Sequence, residues 1–432
     1  MTAEIAIMNK EAIALAADSA VTMTGKTGQK IFTSANKLFI LSKYHPVGIM
    51  IYGSAIFMGV PWETIIKIYR NKLGKKKFDT LLKYCTDFIT FLDNGNPLFP
   101  DYVQEEHLRT SIYSYFNFIK EKITNKVDLR ITEKSEIDKK KIEEIVSETI
   151  KEHYGNWGKA DNIPSIPKSF NKNIIIKYRK IINKAIEDVF EKLPISKGHS
   201  NQLKKIASSL FSKFPKGIQK QDLSGVVIAG FGEKDTFPSL ELYSIEGIVT
   251  NRLKYEKHIS RKIDFENNAS IIPFAQSEMV ATFMEGIDPF LQDHMEGYLS
   301  KIFDNYPEIL AENIAKSDNN KKRLLKERLK DVSNKIFKDY QKGVQTFRRK
   351  NYIDPVISVV SMLPKDELAA MAESLVNLTS FKRKVTMESE TVGGPIDVAV
   401  ISKGDGFVWI KRKHYFKAEL NPQFFSNYYK EV

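Results

Sequence analysis

The first hairpin of the chain constrains the fold most, because two apolar segments follow one another with a short polar turn between them. The segments "AEIAI" and "AIALAA" predict two β-strands, and "MNKE" predicts the turn that joins them. The second strand carries no polar side chain on either face. Such a strand is typical of a sheet that is covered on both sides, so we expect one layer above this hairpin and one below it.

Strand patterns return in three further places. The segment "VGIMIYGSA" predicts a buried strand that ends at Gly53, "VVIAGFGEKDTFPSLELYSIEG" predicts a second hairpin, and "DVAVISK" with "GFVWIKRK" predicts a third. Helical patterns begin at Pro61, near Phe78, at Ser277, where one helix is predicted to run on through "SKIF", and near residue 364. Two segments rich in Lys and Glu interrupt this order and predict long, solvated helices.

The order of these elements predicts an α+β fold in which two packed sheets lie between helical layers, a four-layer αββα sandwich. We assign the sandwich to residues 1–97 together with 222–305 and 352–432. Residues 98–221 and 306–351 are predicted to be two helical insertions.

The composition of the chain narrows its class. It has 432 residues, 42% of them hydrophobic, which is enough to fill a substantial core. The sequence shows neither an apolar stretch long enough to cross a membrane nor a signal-peptide pattern, so we expect a cytoplasmic protein without membrane contacts. The single cysteine, Cys85, excludes an internal disulfide and is predicted to be a buried structural residue.

The net charge of +13 permits attraction of a nucleic acid, but the arrangement of the charges does not favour one. Lysines alternate with acidic residues in segments such as "EKSEIDKKKIEEI", which is typical of a solvated helix face. No nucleic-acid recognition motif accompanies the charge. A nucleic acid is therefore an unfavoured partner.

Three further motifs have plain structural explanations. The segment "GKTGQK" lacks the leading Gly and the spacer of a phosphate loop, and it joins two predicted strands, so it predicts a turn. The seven histidines are dispersed, which argues against a metal site, and we expect no cofactor. The carboxylates near His294 fit one charged helix face.

The residues that are best suited to catalysis lie in and around the first predicted strands. If Met1 is removed, Thr2 carries a free α-amine, with a pKa of about 8, beside its own hydroxyl. Asp18 ends the second strand, and the hairpin register places it across from about position 2. Lys37 opens another predicted strand, and its ammonium would favour the deprotonated nucleophile. Each residue alone also has an ordinary structural explanation: Thr2 fits a common chain terminus, Asp18 a turn cap at a strand end, and Lys37 a solvated lysine at a sheet edge.

Their combination is more specific. Thr2, the block "AADSAVT", Lys37 before "LFIL" and the strand end "IYGSA" together resemble the start of a proteasome β subunit and of its bacterial ATP-dependent relative. These proteins are N-terminal nucleophile (Ntn) hydrolases. The later segments "VVIAGFGEKDTFPSLELYSIEG" and "VGGPIDVAVISKGDGFVWI" are similar to the second hairpin and the closing strands of that family. The two helical insertions lie outside the resemblance.

The resemblance implies a threonine peptidase that cleaves peptide bonds through an acyl-enzyme on Thr2 after removal of Met1. It implies no metal and no cofactor, a peptide or unfolded protein as substrate, a homo-oligomeric assembly and an ATP-dependent unfoldase as partner. The residues that match the family's functional positions are Thr2, Asp18, Lys37 and Ser277 for catalysis, and Thr22 and Gly53 for substrate and oxyanion binding.

The chain also departs from the family pattern. The family has an Asp and a Ser just before its glycine pair, where this chain has Ser389 and Val392, with Glu388 and Glu390 nearby. Ala20 stands where an arginine often follows the "DS" pair. An alternative therefore stays open, in which a noncatalytic member of the same fold keeps Met1 and uses its insertions as a scaffold or a partner-binding surface. The length of the first insertion also predicts an altered assembly.

Overall fold

The computed structural model describes residues 2–25, 28–93, 95–134, 138–215, 223–314, 319–387 and 392–430. Helices make up 54% and strands 21% of the described residues, and several of the sheets are antiparallel. The protein is therefore a mixed α+β protein, as the sequence predicts. The boundaries predicted for the core and its two insertions stay a prediction.

The strands of the described residues are β1 (Ala3–Asn9), β2 (Ala12–Ala17), β3 (Val21–Gly25), β4 (Gly28–Phe32), β5 (Leu38–Ile40), β6 (Val47–Gly53), β7 (Ile56–Phe57), β8 (Val60–Pro61), β9 (Ser224–Gly230), β10 (Ser239–Val249), β11 (Arg252–Lys262), β12 (Ala269–Ala275), β13 (Asp397–Ser402) and β14 (Gly406–Lys411).

The helices of the described residues are α1 (Trp62–Leu73), α2 (Leu81–Leu92), α3 (Asp101–Lys134), α4 (Lys139–Lys159), α5 (Phe170–Lys177), α6 (Arg179–Phe190), α7 (Lys197–Ser209), α8 (Glu278–Glu285), α9 (Pro289–Ile314), α10 (Asn319–Arg348), α11 (Asp354–Val360), α12 (Lys365–Val385) and α13 (Pro422–Lys430). A π-helical turn (Arg349–Ile353) joins α10 to α11, and a short 3₁₀ helix (Ala418–Leu420) precedes α13.

The chain divides into two compact units. The first unit contains Met1–Gly48, Ala229–Ser239 and Lys262–Val432, and the second contains Ile49–Ile228 and Leu240–Arg261. The first unit is built on an antiparallel sheet in the order β12-β1-β2-β13-β14. The N-terminal hairpin β1–β2 therefore lies inside the sheet, with a neighbouring strand on each side.

The N-terminal hairpin is buried on both faces, as its sequence predicts. Alternate residues of β1 and β2 pack with α12 in one apolar cluster, because successive side chains of a strand point to opposite faces. Met8 and Leu15, which point to the other face, are fully buried as well. The turn is held by Asn9, whose side-chain oxygen accepts the backbone N–H groups of Glu11 and Ala12.

The second unit combines strands with most of the long helices of the chain. Strands β11, β10, β9 and β6 lie side by side in that order. Helices α3, α4, α5, α6 and α7 share a large apolar core that contains Phe116, Trp157 and Leu203. Cys85 lies fully buried in α2, as predicted, and burial raises the pKa of its thiol.

Two parts of the fold differ from the sequence-based expectation. Strands β11 and β12 were not predicted, although β12 pairs along the whole length of β1. The helix predicted from Ser277 through "SKIF" is wrong as a single element. It ends at Gly286, which adopts a left-handed conformation with φ of +73°, and a new helix starts at Pro289. A left-handed glycine is a common way to end a helix.

Candidate active site

Three of the predicted site residues meet in the first unit, at the open end of the N-terminal hairpin. The Nζ atom of Lys37 lies 3.0 Å from Oγ1 of Thr2 and 2.6 Å from Oδ1 of Asp18. All three residues are buried, with exposed fractions of 5% for Thr2, 0% for Asp18 and 4% for Lys37. The structure thus brings a hydroxyl, an ammonium and a carboxylate into one hydrogen-bonded chain with little solvent around it.

The hairpin register brings Asp18 to the start of β1, one position away from the predicted partner. Ala17 pairs with Glu4, so Asp18 lies opposite Ala3 and not opposite Thr2. The backbone N–H of Asp18 donates to the carbonyl oxygen of Ala3 at 3.1 Å, and Oδ1 of Asp18 accepts the Ala3 N–H at 3.0 Å. This reciprocal pair fixes the carboxylate beside the start of β1.

The second carboxylate oxygen of Asp18 is held by two backbone groups. Oδ2 accepts the N–H of Ala20 at 3.1 Å and the N–H of Gly393 at 3.0 Å. With Ala3 and Lys37 the carboxylate accepts four hydrogen bonds from the described residues, which satisfies a buried anion well. The contact from Gly393 was missed by sequence reasoning, although the "GG" pair just before a predicted strand was a signal for a close backbone approach.

Glu4 is a second buried carboxyl next to this chain of groups. It is 2% exposed, and neither of its carboxyl oxygens has a hydrogen-bond partner. Burial raises the pKa of Glu4 well above its ordinary value, Lys37 opposes that rise, and Asp18 adds to it. Burial thus favours the protonated form of this carboxyl, because an unpaired buried charge is costly. Sequence reasoning missed Glu4, and its signal was one acid within an apolar strand.

Ser277 lies in the segment that follows the edge strand β12. Its neighbour Gln276 donates its backbone N–H to the carbonyl oxygen of Thr2 at 3.2 Å, and Arg383 donates from Nε to the Gln276 side chain at 3.0 Å. Ser277 itself is exposed and precedes α8, without a side-chain bond that caps the helix. The structure therefore places Ser277 next to the backbone that holds Thr2.

The two residues predicted to bind substrate lie in different units. Thr22 belongs to β3 in the first unit, and its Oγ1 is buried without a hydrogen-bond partner. Gly53 ends β6 in the second unit and has a φ of +80°. A Cβ atom added there would lie 2.3 Å from the carbonyl oxygen of Leu223, so this position requires glycine.

The positions that depart from the family pattern are partly described. Glu388, Ser389 and Glu390 lie outside the described residues. Val392 is buried in the apolar cluster beneath the first sheet, and Ala20 is fully buried. Both side chains are therefore packing residues, and the support of Asp18 comes from backbone N–H groups in this region.

The described residues contain no group of three or more His, Cys, Asp or Glu side chains arranged to hold a metal ion. Within the same parts of the chain, no helix is both long and apolar enough to cross a membrane. The Lys37 ammonium beside Thr2 can help to activate the Thr2 hydroxyl, because an ammonium stabilises the negative charge that develops on an attacking oxygen.

The sequence matches no protein-family model, and no curated protein is significantly similar to it.

Proposed function

We propose that this protein is an N-terminal-threonine peptidase of the proteasome type, with Thr2 as the nucleophile once Met1 has been removed. The observation that supports this proposal best is the position of Lys37, whose ammonium reaches both the Thr2 hydroxyl and the Asp18 carboxylate in a buried setting. In the same proposal the two sheets form the inner layers of a four-layer αββα sandwich.

The proposed reaction is acyl transfer to the Thr2 hydroxyl. Oγ1 of Thr2 attacks the peptide carbonyl carbon, and the α-amine of the same residue takes the hydroxyl proton. The amine passes that proton to the departing peptide nitrogen, so an ester forms as the peptide bond breaks. Water then hydrolyses the ester and regenerates the threonine.

Each neighbouring residue has a proposed role in this reaction. The Lys37 ammonium stabilises the developing negative charge on Oγ1, and Asp18 holds Lys37 in place. Ser277 supports the nucleophile, the Gly53 N–H binds the oxyanion, and Thr22 binds the substrate backbone. Glu4 stays neutral, which leaves one cation and one anion beside the nucleophile.

The proposal extends to the setting in which the reaction takes place. We propose peptides or unfolded proteins as substrates, a homo-oligomeric assembly in the cytoplasm and an ATP-dependent unfoldase that delivers protein substrates. These partners rest on the sequence resemblance to proteasome β subunits, not on a contact in this structure.

Hydrolysis of unfolded casein and of fluorogenic peptides tests the proposal. We expect Thr2→Ala to abolish hydrolysis, because no other group replaces the nucleophile, and Lys37→Met to lower kcat by about 100-fold or more. Thr80→Ala is the matched control, since Thr80 precedes α2 without a side-chain capping bond. Unchanged hydrolysis in Thr2→Ala would contradict the proposal.

A further inference from the structure

Helices α9 and α10 form an antiparallel hairpin in the first unit. Near its middle, Oγ of Ser333 donates to the carbonyl oxygen of Phe303 at 2.6 Å, and closer to the tip Nζ of Lys326 lies 2.6 Å from Oε1 of Glu308. Contacts of this kind run along the hairpin and define a line on each helix that faces the other helix. The residues on these lines include Glu296, Phe303 and Pro307 on α9, and Ser333, Phe337 and Gln341 on α10.

Both helices also carry large apolar side chains that are open to solvent. Each of them is at least 40% exposed. Six of them are Met295, Ile302 and Tyr306 on α9, and Val332, Ile336 and Tyr340 on α10. Groups of neighbouring exposed apolar side chains commonly mark an interaction site, whereas single exposed apolar residues do not.

These six side chains lie on one side of the hairpin. Each comes directly before a residue that faces the other helix, so it is turned by about 100° from the contact line, in the same sense on both helices. Because the helices run antiparallel, the same turn brings both sets to the same side. They form one continuous apolar face, which no described part of the chain covers.

The charges of the two helices show which partner fits this face. Helix α9 has five acidic residues and one lysine, whereas α10 has ten Lys and Arg residues and three acidic ones. A second hairpin of the same sequence would offer an apolar face of the same shape, and it would set a basic helix against the acidic one. We propose that this face binds the same face of a second copy of the chain, in a two-fold symmetric four-helix bundle.

Two symmetric arrangements of the hairpins are possible, and the charges distinguish them. A two-fold axis across the helices would stack α9 on α9 and α10 on α10, which places like charges together. An axis parallel to the helices stacks α9 of each copy on α10 of the other, which places opposite charges together. The second arrangement keeps every residue at its own height along the bundle. Ile302 therefore contacts Ile336 of the partner subunit, since Phe303 and Phe337 are already neighbours within one chain.

Sedimentation velocity over a range of protein concentrations tests the proposed dimer. We expect the wild type to dimerise, and Ile302→Glu to raise the dimer dissociation constant by on the order of 30-fold or more, because a charge would enter the apolar centre of the interface. Leu129→Glu is the matched control, since Leu129 is 65% exposed on α3, which belongs to the second unit, and the substitution should leave the dimer intact. A monomeric wild type, or an equally tight dimer in Ile302→Glu, would overturn the proposal.

Cross-linking tests the arrangement of the helices and separates a second copy from a membrane. Cys85 is buried, so Ile302→Cys or Ile336→Cys supplies the reactive thiol. A mild oxidant should give a disulfide-linked dimer when the two variants are mixed, and none with either alone. A disulfide link in either variant alone, or none in the mixture, would overturn the proposed arrangement of the helices.

Vesicle binding separates a second copy of the chain from a membrane as the partner. If the monomer binds phosphatidylserine vesicles and Ile302→Glu does not, the apolar face binds a membrane, and the proposed dimer is overturned. The inference does not depend on the proposed peptidase activity.

Discussion

The site around Thr2 holds two buried carboxyls in very different settings. Asp18 accepts four hydrogen bonds and pairs with Lys37, whereas Glu4 has no hydrogen-bond partner for either oxygen. Environment decides the charge of such groups, because burial penalises the ionised form and hydrogen bonds to it offset the penalty. Lys37 and Asp18 form an ion pair, whereas burial raises the pKa of Glu4 and favours its protonated form.

Glu4 should make the folded state less stable as pH rises. Its pKa is raised by burial, so the folded state binds one more proton than the unfolded state above the ordinary pKa of about 4.5. The free energy of unfolding then falls by about 1.4 kcal/mol per pH unit from this group until the folded-state pKa is reached. Below pH 4.5 both states are protonated, and the stability is fully present. Glu4→Gln should remove this slope.

Urea denaturation at pH 5 and pH 8 measures this effect of Glu4. We expect Glu4→Gln to be more stable than the wild type at pH 8 and to differ less from it at pH 5. Glu143→Gln, on an exposed position of α4, is the control and should follow the wild type at both pH values. An identical pH dependence in Glu4→Gln and the wild type would show that Glu4 does not retain the proton.

At the scale of elements, the turn between β1 and β2 sets the register that brings Asp18 to the start of the chain. The Asn9 side chain accepts the N–H groups of Glu11 and Ala12, and its amide donates to the carbonyl oxygens of Val360 and Leu363. One side chain thus shapes the turn and ties it to the end of α11 and to the segment that follows.

Asn9→Ala should lower the free energy of unfolding by about 2–4 kcal/mol. The substitution removes four hydrogen bonds at a buried turn and leaves backbone groups without partners, each of which costs about 1–3 kcal/mol unless water reaches it. Guanidinium denaturation followed by circular dichroism measures the loss. Glu11→Ala is the control, because Glu11 is exposed and its contact with Lys365 is a surface ion pair, and it should stay within about 0.5 kcal/mol of the wild type. A loss in Asn9→Ala no larger than in the control would contradict this role of the turn.

The sequence predicts the buried elements well because their apolar patterns are local. The hairpin β1–β2, the strand β6 and the pair β13–β14 were predicted in type and nearly in extent. Strands β11 and β12 were missed for different reasons. β11 alternates charged residues on a largely exposed strand, and β12 carries Pro273, a residue that strands accept mainly at sheet edges. Pairing with a distant partner stabilises such strands, and a local pattern does not contain that information.

The candidate site was predictable only in part for a related reason. The hairpin register placed Asp18 to within one residue of its observed position opposite the start of β1, whereas Lys37 was assigned to the site from the family resemblance. The N–H of Gly393 reaches Asp18 from 375 residues away, so its contact depends on how β13 joins the sheet. The state of Glu4 depends on burial from all sides, which no short segment of sequence specifies.

At the scale of the whole molecule, the first unit carries Thr2 together with the groups described above that bond to it or to Asp18, although these groups come from both ends of the chain. The N-terminal hairpin supplies Asp18, the segment before β5 supplies Lys37, and the segments after β12 and before β13 supply Gln276 and Gly393. The apolar hairpin of α9 and α10 belongs to the same unit. The proposed nucleophile Thr2 and the proposed self-association face thus belong to one unit of the protein and use separate residues.

The most direct test of the central claim is the intact mass of the purified protein, before and after treatment with a threonine-directed epoxyketone or β-lactone. The account predicts a chain without Met1 that gains one inhibitor adduct, located on Thr2 by peptide mapping and absent in Thr2→Ala. A chain that keeps Met1 and gains no adduct would contradict the account, and would support the alternative of a noncatalytic protein with the same fold.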